Sequence, residues 1–235
     1  MNERMLLEDG LKQLSLSFSP QSVEKLLRFS DLLLEKNRVM NLTAIEDPAE
    51  IAALHFLDSA ALLTLADFRN KRVADVGTGA GFPGLPLRIL EPSLSLTLLD
   101  AQNKRVEFLK EVCAALGLSD VTCVHARAEE FAADHREGFD LVVSRAVANL
   151  RLLAELCLPL VKEGGRFLAM KSVDSDQELA ESRHAIETLG GAVETASSYV
   201  IPGTEIRHRV IFIKKLRKTD KKYPRTFAKI KKHPL

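Results

Sequence analysis

Apolar and polar positions along the chain fall into two textures, and the change comes near Arg72. Before it, apolar residues recur at helical spacing. Val23, Leu26, Leu27, Leu33 and Leu34 follow Ser19-Pro20, the three-and-four step of an amphipathic helix. Asp47-Pro48-Ala49-Glu50 places an acceptor at the N-cap, proline at the first helical position and an acid two residues later, which predicts a helix start. The apolar run to Leu65 continues that helix. From Arg72 onward, short apolar runs alternate with amphipathic ones. The pattern predicts strands over 72–77, 94–100, 121–126, 139–146 and 164–171. It predicts helices over 104–118, from the fourth strand through Leu160, and over 176–190. Residues 192–216 read as two strands around Pro202-Gly203. Strands alternating with helices imply βαβ units and a mostly parallel sheet, here with an antiparallel hairpin at its end. The chain divides into a helical region (1–70), an α/β domain (71–213) and a tail (214–235).

With 235 residues, 46% of them hydrophobic, the chain can bury one α/β core plus an appendage. The opening MNERMLLEDG lacks the apolar stretch of a signal peptide. No apolar run approaches the roughly 18 residues of a membrane span, so the expectation is a soluble, cytoplasmic protein with no membrane partner. Cys113, Cys123 and Cys157 form no C-x-x-C pair and read as reduced packing residues, with no metal site. The net charge of +1 conceals a division. Residues 214–235 hold ten Lys/Arg and one acid, leaving 23 basic and 31 acidic residues in the body. An acidic body with a basic tail predicts a polyanionic partner.

The first strand runs into VADVGTGAGFPGLPL (73–87). A parallel sheet binds ligands at the carboxyl ends of its strands, where the strand order reverses. Gly77, Gly79 and Gly81 allow positive φ and close backbone approach there. A dinucleotide site wants G-x-G-x-x-G. From Gly77 the third position is Phe82; from Gly79 the match G-A-G-F-P-G puts a proline in the phosphate turn. The competing pattern is D-x-G-x-G-x-G, the opening of S-adenosylmethionine sites. In it Asp75 can meet the cofactor's cationic methionine end, directly or through water. Asp100 closes the second strand, where a carboxylate accepts both ribose hydroxyls. Ala128-Glu129, after the third strand, is expected beside the adenine. Ser144 and Arg145 close the fourth strand at the sheet's rim. A merely structural turn is the remaining reading.

His55, Asp58 and Ser59 share one face of a predicted helix and invite a hydrolytic triad. A triad draws its members from separate elements, so the expectation is a structural network against the cofactor domain. His125 is expected at the rim. In the tail and just before it, Arg207, Arg209, Lys214, Lys215, Arg217, Lys218, Lys221, Lys222 and Arg225 are the candidates for RNA phosphates. Tyr223 and Phe227 interleave with them and could stack on bases; a solvated tail is the alternative.

Taken together, NLTAIEDPAEIAALHFLDSA, VADVGTGAGFPGLPL, LLDAQNKRVEFLKEV, RAEEF and VVSRAVANL resemble the RsmG/GidB family, bacterial methyltransferases that modify guanine N7 in small-subunit ribosomal RNA. The resemblance spans about Met40 to Lys171. It implies a class I methyltransferase fold with seven strands and an N-terminal helical extension, S-adenosyl-L-methionine as cofactor, and 16S ribosomal RNA or the small ribosomal subunit as partner of a monomer. It places cofactor contacts at Gly77, Phe82, Ala128, Glu129 and Arg145, with Asp100 on the ribose. Arg145 and Lys171 are candidates for positioning the substrate, and Arg145 could hold the guanine instead of the cofactor. Where the family often reads Leu-Lys-Gly at the fifth strand's end, this chain has Met170-Lys171-Ser172. A small-metabolite methyltransferase and a non-catalytic RNA-binding protein carrying the cofactor are the alternatives.

Overall fold

The computed structural model describes residues 2–145 and 148–235. Ala146, the end of the fourth expected strand, and Val147 lie outside them. Two helices open the chain, α1 (Glu3–Gln13) and α2 (Pro20–Met40). Ser19 caps α2 by accepting the Ser22 N–H, with Pro20 as its first residue, and Asn41 ends it in the left-handed conformation. Val23, Leu26 and Leu33 of the expected stripe are fully buried, joined by Phe29.

Asp47 caps the next helix by accepting the Glu50 N–H, as expected. The element is not one regular helix, however. α3 (Pro48–Ile51) passes into a π-helical stretch (Ala52–Leu57), then α4 (Asp58–Ala60) and α5 (Leu62–Leu65). Widened turns of this kind gather at functional sites. The expectation that no segment is long and apolar enough for a membrane needs correction. Pro48–Leu65 has 18 residues at a mean hydropathy of 1.2. Ile51, Phe56, Leu57 and Leu62 are nonetheless buried against the sheet's helices, so packing accounts for the apolarity.

The remainder alternates: β1 (Arg72–Val76), α6 (Gly84–Leu90), β2 (Ser95–Asp100), α7 (Asn103–Ala115), β3 (Val121–His125), α8 (Ala128–Asp134), β4 (Phe139–Arg145), α9 (Leu150–Cys157), β5 (Val161–Ser172), α10 (Asp176–Thr188), β6 (Gly191–Val200) and β7 (Arg207–Lys215). α11 (Phe227–Lys232) follows. The strands form one sheet in the order β3-β2-β1-β4-β5-β7-β6, parallel except for β7. The order reverses between β1 and β4, so the glycine turn after β1 sits at the switch point. Two buried layers flank the sheet. One joins α1, α2 and the Pro48–Leu65 segment to α6 and α7; the other joins α8, α9, α10 and α11. The N-terminal helices thus share a core with the sheet.

The tail is a folded part of the molecule. Lys214 and Lys215 belong to β7, and Lys215 is fully buried, its Nζ donating to the Leu158 carbonyl and to Thr219. Arg136 donates to the carbonyls of Thr219 and Tyr223. Arg225 forms a two-pronged pair with the fully buried Glu155 of α9, at 2.6 and 2.8 Å. Arg151 holds the carbonyls of Pro234 and Leu235.

Candidate active site

β1 ends in a turn tied to its neighbour: the N–H groups of Gly77 and Thr78 both donate to the Leu99 carbonyl of β2. Gly77, Gly79 and Gly81 all take positive φ, at 71°, 60° and 104°. A Cβ built on Gly79 meets nothing within 4 Å, so a side chain there would project into open space. That space is a cleft of about 490 Å³ lined by Gly77, Gly79, Phe82, Asp100 and Arg145, among others.

Asp100 is 5% exposed. Its Oδ2 accepts the Gly79 N–H at 3.0 Å and its Oδ1 accepts the Gln102 N–H at 2.8 Å. Arg105 stands 3.7 Å away. A carboxylate offers about four lone-pair positions. Two remain, which matches a ribose edge with two hydroxyls.

Asp75 has a different role from the one expected. It is fully buried and does not line the cleft. Its Oδ2 accepts the Thr78 hydroxyl at 2.7 Å and the Gly84 N–H at 2.8 Å. Asp75 therefore clamps both ends of the turn from behind. Burial pushes its carboxyl up to about 6 against those two hydrogen bonds. Gly84 is required by the same clamp, since a Cβ there would stand 2.8 Å from Asp75 Oδ2. Ser144, expected at the rim, is buried too and donates to the Val76 carbonyl.

Arg145 is the centre of the site. Its guanidinium donates to the Leu54 carbonyl, to Asp58 Oδ2 at 3.1 Å and to His55 Nδ1 at 3.0 Å. It lies 5.0 Å from the Phe82 ring centroid, and the His55 ring stacks on Phe82 at 4.4 Å. Because Arg145 can only donate, His55 must be neutral with its proton on Nε2, facing the Thr43 hydroxyl at 2.8 Å. Burial first, and Arg145 next, pull the His55 pKa down to about 4. Asp58 is fully buried. Burial alone would raise its pKa, but the His208 hydrogen bond, the Arg145 charge and the Tyr199 hydroxyl hold it below the ordinary carboxylate value. His55 and Asp58 thus form the expected network, and Ser59 donates only to the His55 carbonyl.

Ala128 and Glu129 start α8, beside Asp100 through the pairing of Asp100 with His125, but they do not line the cleft. Glu129 is paired with Arg127. His125 stands at the rim, its Nε2 3.2 Å from the Ala101 carbonyl. Lys171 bonds the Ala148 carbonyl and Glu178. The expected set of phosphate-binding residues needs revision. Lys215 is buried, Arg225 is engaged by Glu155, and Arg209 by Asp176. Tyr223 is buried, and Phe227 covers Arg127. Arg207, Arg217, Lys218, Lys221 and Lys222 are exposed, and Lys214 is half-buried. Thr43, Gln102 and Arg105 also line the cleft, although the sequence reading does not place them in the site. Their signal is present: Thr43 belongs to the N-L-T preamble, and Asn37 fixes it through both its N–H and its carbonyl at 2.9 Å.

Comparison with known proteins agrees with this geometry. A family model described as rRNA small subunit methyltransferase G matches residues 22–208. The ribosomal RNA small subunit methyltransferase G of Alkaliphilus metalliredigens is 45% identical over 238 residues, covering all of both chains. That of Acetivibrio thermocellus is 45% identical over 234 residues, 99% of this chain and 96% of its own. Among solved structures, TrmN from Thermus thermophilus superposes with a TM-score of 0.53 at 26% identity, over 67% of this chain and 48% of that one. TYW2 of M. jannaschii, in complex with AdoMet, gives a TM-score of 0.52 at 14% identity, over 63% of this chain and 70% of its own; at that identity it speaks for the fold alone. A class I methyltransferase fold, the reversed-order cleft and full-length similarity at 45% identity lead to one conclusion: the chain belongs to the small-subunit ribosomal RNA methyltransferase G family.

Proposed function

We propose that the protein transfers the methyl group of S-adenosylmethionine to N7 of a guanine in 16S ribosomal RNA, as a monomer in the cytoplasm. The observation that carries this reading is the cleft at the switch point, where a glycine-rich turn faces the half-open carboxylate of Asp100 and the wall formed by Phe82 and Arg145. Those residues suit the cofactor. Gly79 leaves room for it, and Asp100 has acceptor positions left for the ribose. The volume lies within the usual range for small-ligand sites. When bound, S-adenosylmethionine supplies an electrophilic methyl group.

Guanine N7 carries a lone pair and no proton, so no general base is needed and alignment is the chief requirement. The site fits that demand. Arg145 is locked by Leu54, His55 and Asp58, and neutral His55 holds Phe82 against it. The result is a stiff partition between the cleft and the space over β4 and β5. Ala128 and Glu129, beside the cleft, remain candidates for the adenine end. The test is transfer of labelled methyl from S-adenosylmethionine to small subunits taken from cells lacking this protein, with the modified nucleotide mapped. Label at guanine N7 is the expected result; cofactor binding without transfer rejects the reading.

A further inference from the structure

A second cleft, of about 450 Å³, shares only Arg145 with the first among the described residues. Met170, Lys171, Glu178 and His208 also line it. It adjoins the cofactor cleft at Arg145 and is the place proposed here for the target base. The exposed edge of guanine beside N7 carries one other polar atom, O6, also an acceptor. N7 must stay free to react, so recognition along that edge needs a donor aimed at O6. The same donor rejects adenine, which presents an amino group there.

The charged donors in this cleft are few, and most are engaged. Lys171 is held by the Ala148 carbonyl at 2.6 Å and by Glu178 at 2.7 Å. Arg145 is held at three points. His208 differs. Its Nδ1 lies 2.7 Å from Asp58 Oδ1, while its Nε2 makes no hydrogen bond among the described residues. The ring is partly exposed, at 34%. On β7 it points to the opposite face from its neighbours Arg207 and Arg209.

We infer that His208 is the residue that selects guanine, donating a hydrogen bond from Nε2 to O6 of the target base. The inference rests on the proposed reaction at guanine N7. Asp58 sets the protonation the ring must have. Asp58 accepts the Nδ1 proton, so a neutral His208 would present a bare, accepting Nε2; only the imidazolium offers a donor. The groups around the ring are Asp58, the Tyr199 phenol of β6, Arg145 of β4, Lys171 of β5 and Glu178 of α10. The Asp58 hydrogen bond raises the His208 pKa above that of a free histidine, opposed by burial and by Arg145. Guanine selection is therefore present at low pH and fades as pH rises through that raised value.

The test is methyl transfer to reconstituted small subunits carrying either guanine or 2-aminopurine, which keeps N7 and lacks O6, at the target position. For the wild type, kcat/KM with guanine exceeds that with 2-aminopurine roughly ten- to a hundredfold, and the guanine rate declines at alkaline pH. H208A loses a similar factor on guanine and nothing further on 2-aminopurine, and its alkaline decline disappears. H208Q, which keeps an uncharged N–H, restores part of the loss with no pH dependence in that range. Unchanged S-adenosylhomocysteine affinity shows that both variants are folded. If the losses from H208A and from 2-aminopurine multiply, His208 does not touch O6 and the inference falls. Wild-type label outside guanine N7 would instead overturn the reaction on which it rests.

Discussion

Asp75 and Asp100 sit at the ends of adjacent strands, yet their surroundings give them opposite roles. Asp100 keeps free acceptor positions in the cleft, whereas Asp75 is enclosed behind the turn. Asp100→Ala should weaken S-adenosylhomocysteine binding about a hundredfold by calorimetry, since a charge-assisted pair of hydrogen bonds disappears; undiminished affinity would refute the ribose contact. Asp75 predicts a pH effect on stability instead. Its folded pKa of about 6 lies above the unfolded value of about 3.9. Its protonation therefore favours the native state fully below about pH 4, and that contribution is lost as pH rises through about 6. Urea unfolding should show wild type losing up to about 3 kcal/mol relative to Asp75→Asn between pH 4 and 7. A pH-independent difference would mean that the carboxyl is not so perturbed. The types and spacing of these acids were legible in the sequence. Which of them faces the ligand was not, because that depends on where Thr78 and Gly84 place their donors.

At the level of elements, the predicted strands and helices formed nearly where the apolar periods put them. β5 begins at Val161 rather than 164, because Val161 pairs with Phe139 of β4 across a register shift and so extends the strand beyond its apolar stretch. The Pro48–Leu65 segment departs most from expectation: its apolar period gives no sign of the π-helical stretch that holds His55 and leads into Asp58, both of which meet Arg145. The tail departs as well. Its composition reads as an arm free to bind RNA, but Ile230 and Tyr223 are buried and Glu155 anchors Arg225. Glu155→Ala should cost about 3 kcal/mol in thermal or urea unfolding, by stranding Arg225 against α9. It should also expose the segment after Tyr223 to trypsin. A variant as stable and as protease-resistant as wild type would show that the tail is held elsewhere.

For the whole molecule, the path of the tail redistributes its charge. β7 runs antiparallel to its neighbours, so Lys215 lies at the end of the sheet opposite the clefts. Lys218, Lys221 and Lys222 follow there, near Arg136, which precedes β4. The chain then returns along α9, where Arg225 meets Glu155 and Arg151 meets the last carbonyls. This brings the exposed Lys229, Lys231 and Lys232 toward the cleft end. Replacing those three lysines by glutamine should lower RNA affinity. It should also reduce the slope of log affinity against log salt by about one for each phosphate left without its lysine. The same change at Lys218, Lys221 and Lys222 should have the smaller effect. Equal slopes for both triple variants would refute the division.

The sequence by itself determined the alternation of elements, the glycine turn, its acids and the resemblance to the family, because each is carried by local spacing and residue type. Only the tertiary structure decided which acid faces the ligand, that Arg145 is a partition shared by two clefts, and that much of the apparent basic arm is engaged within the fold. Those outcomes depend on contacts between residues far apart in the chain, such as Asp58 with His208 and Glu155 with Arg225. Burial and hydrogen-bond partners, rather than residue type, set what each charge can do there.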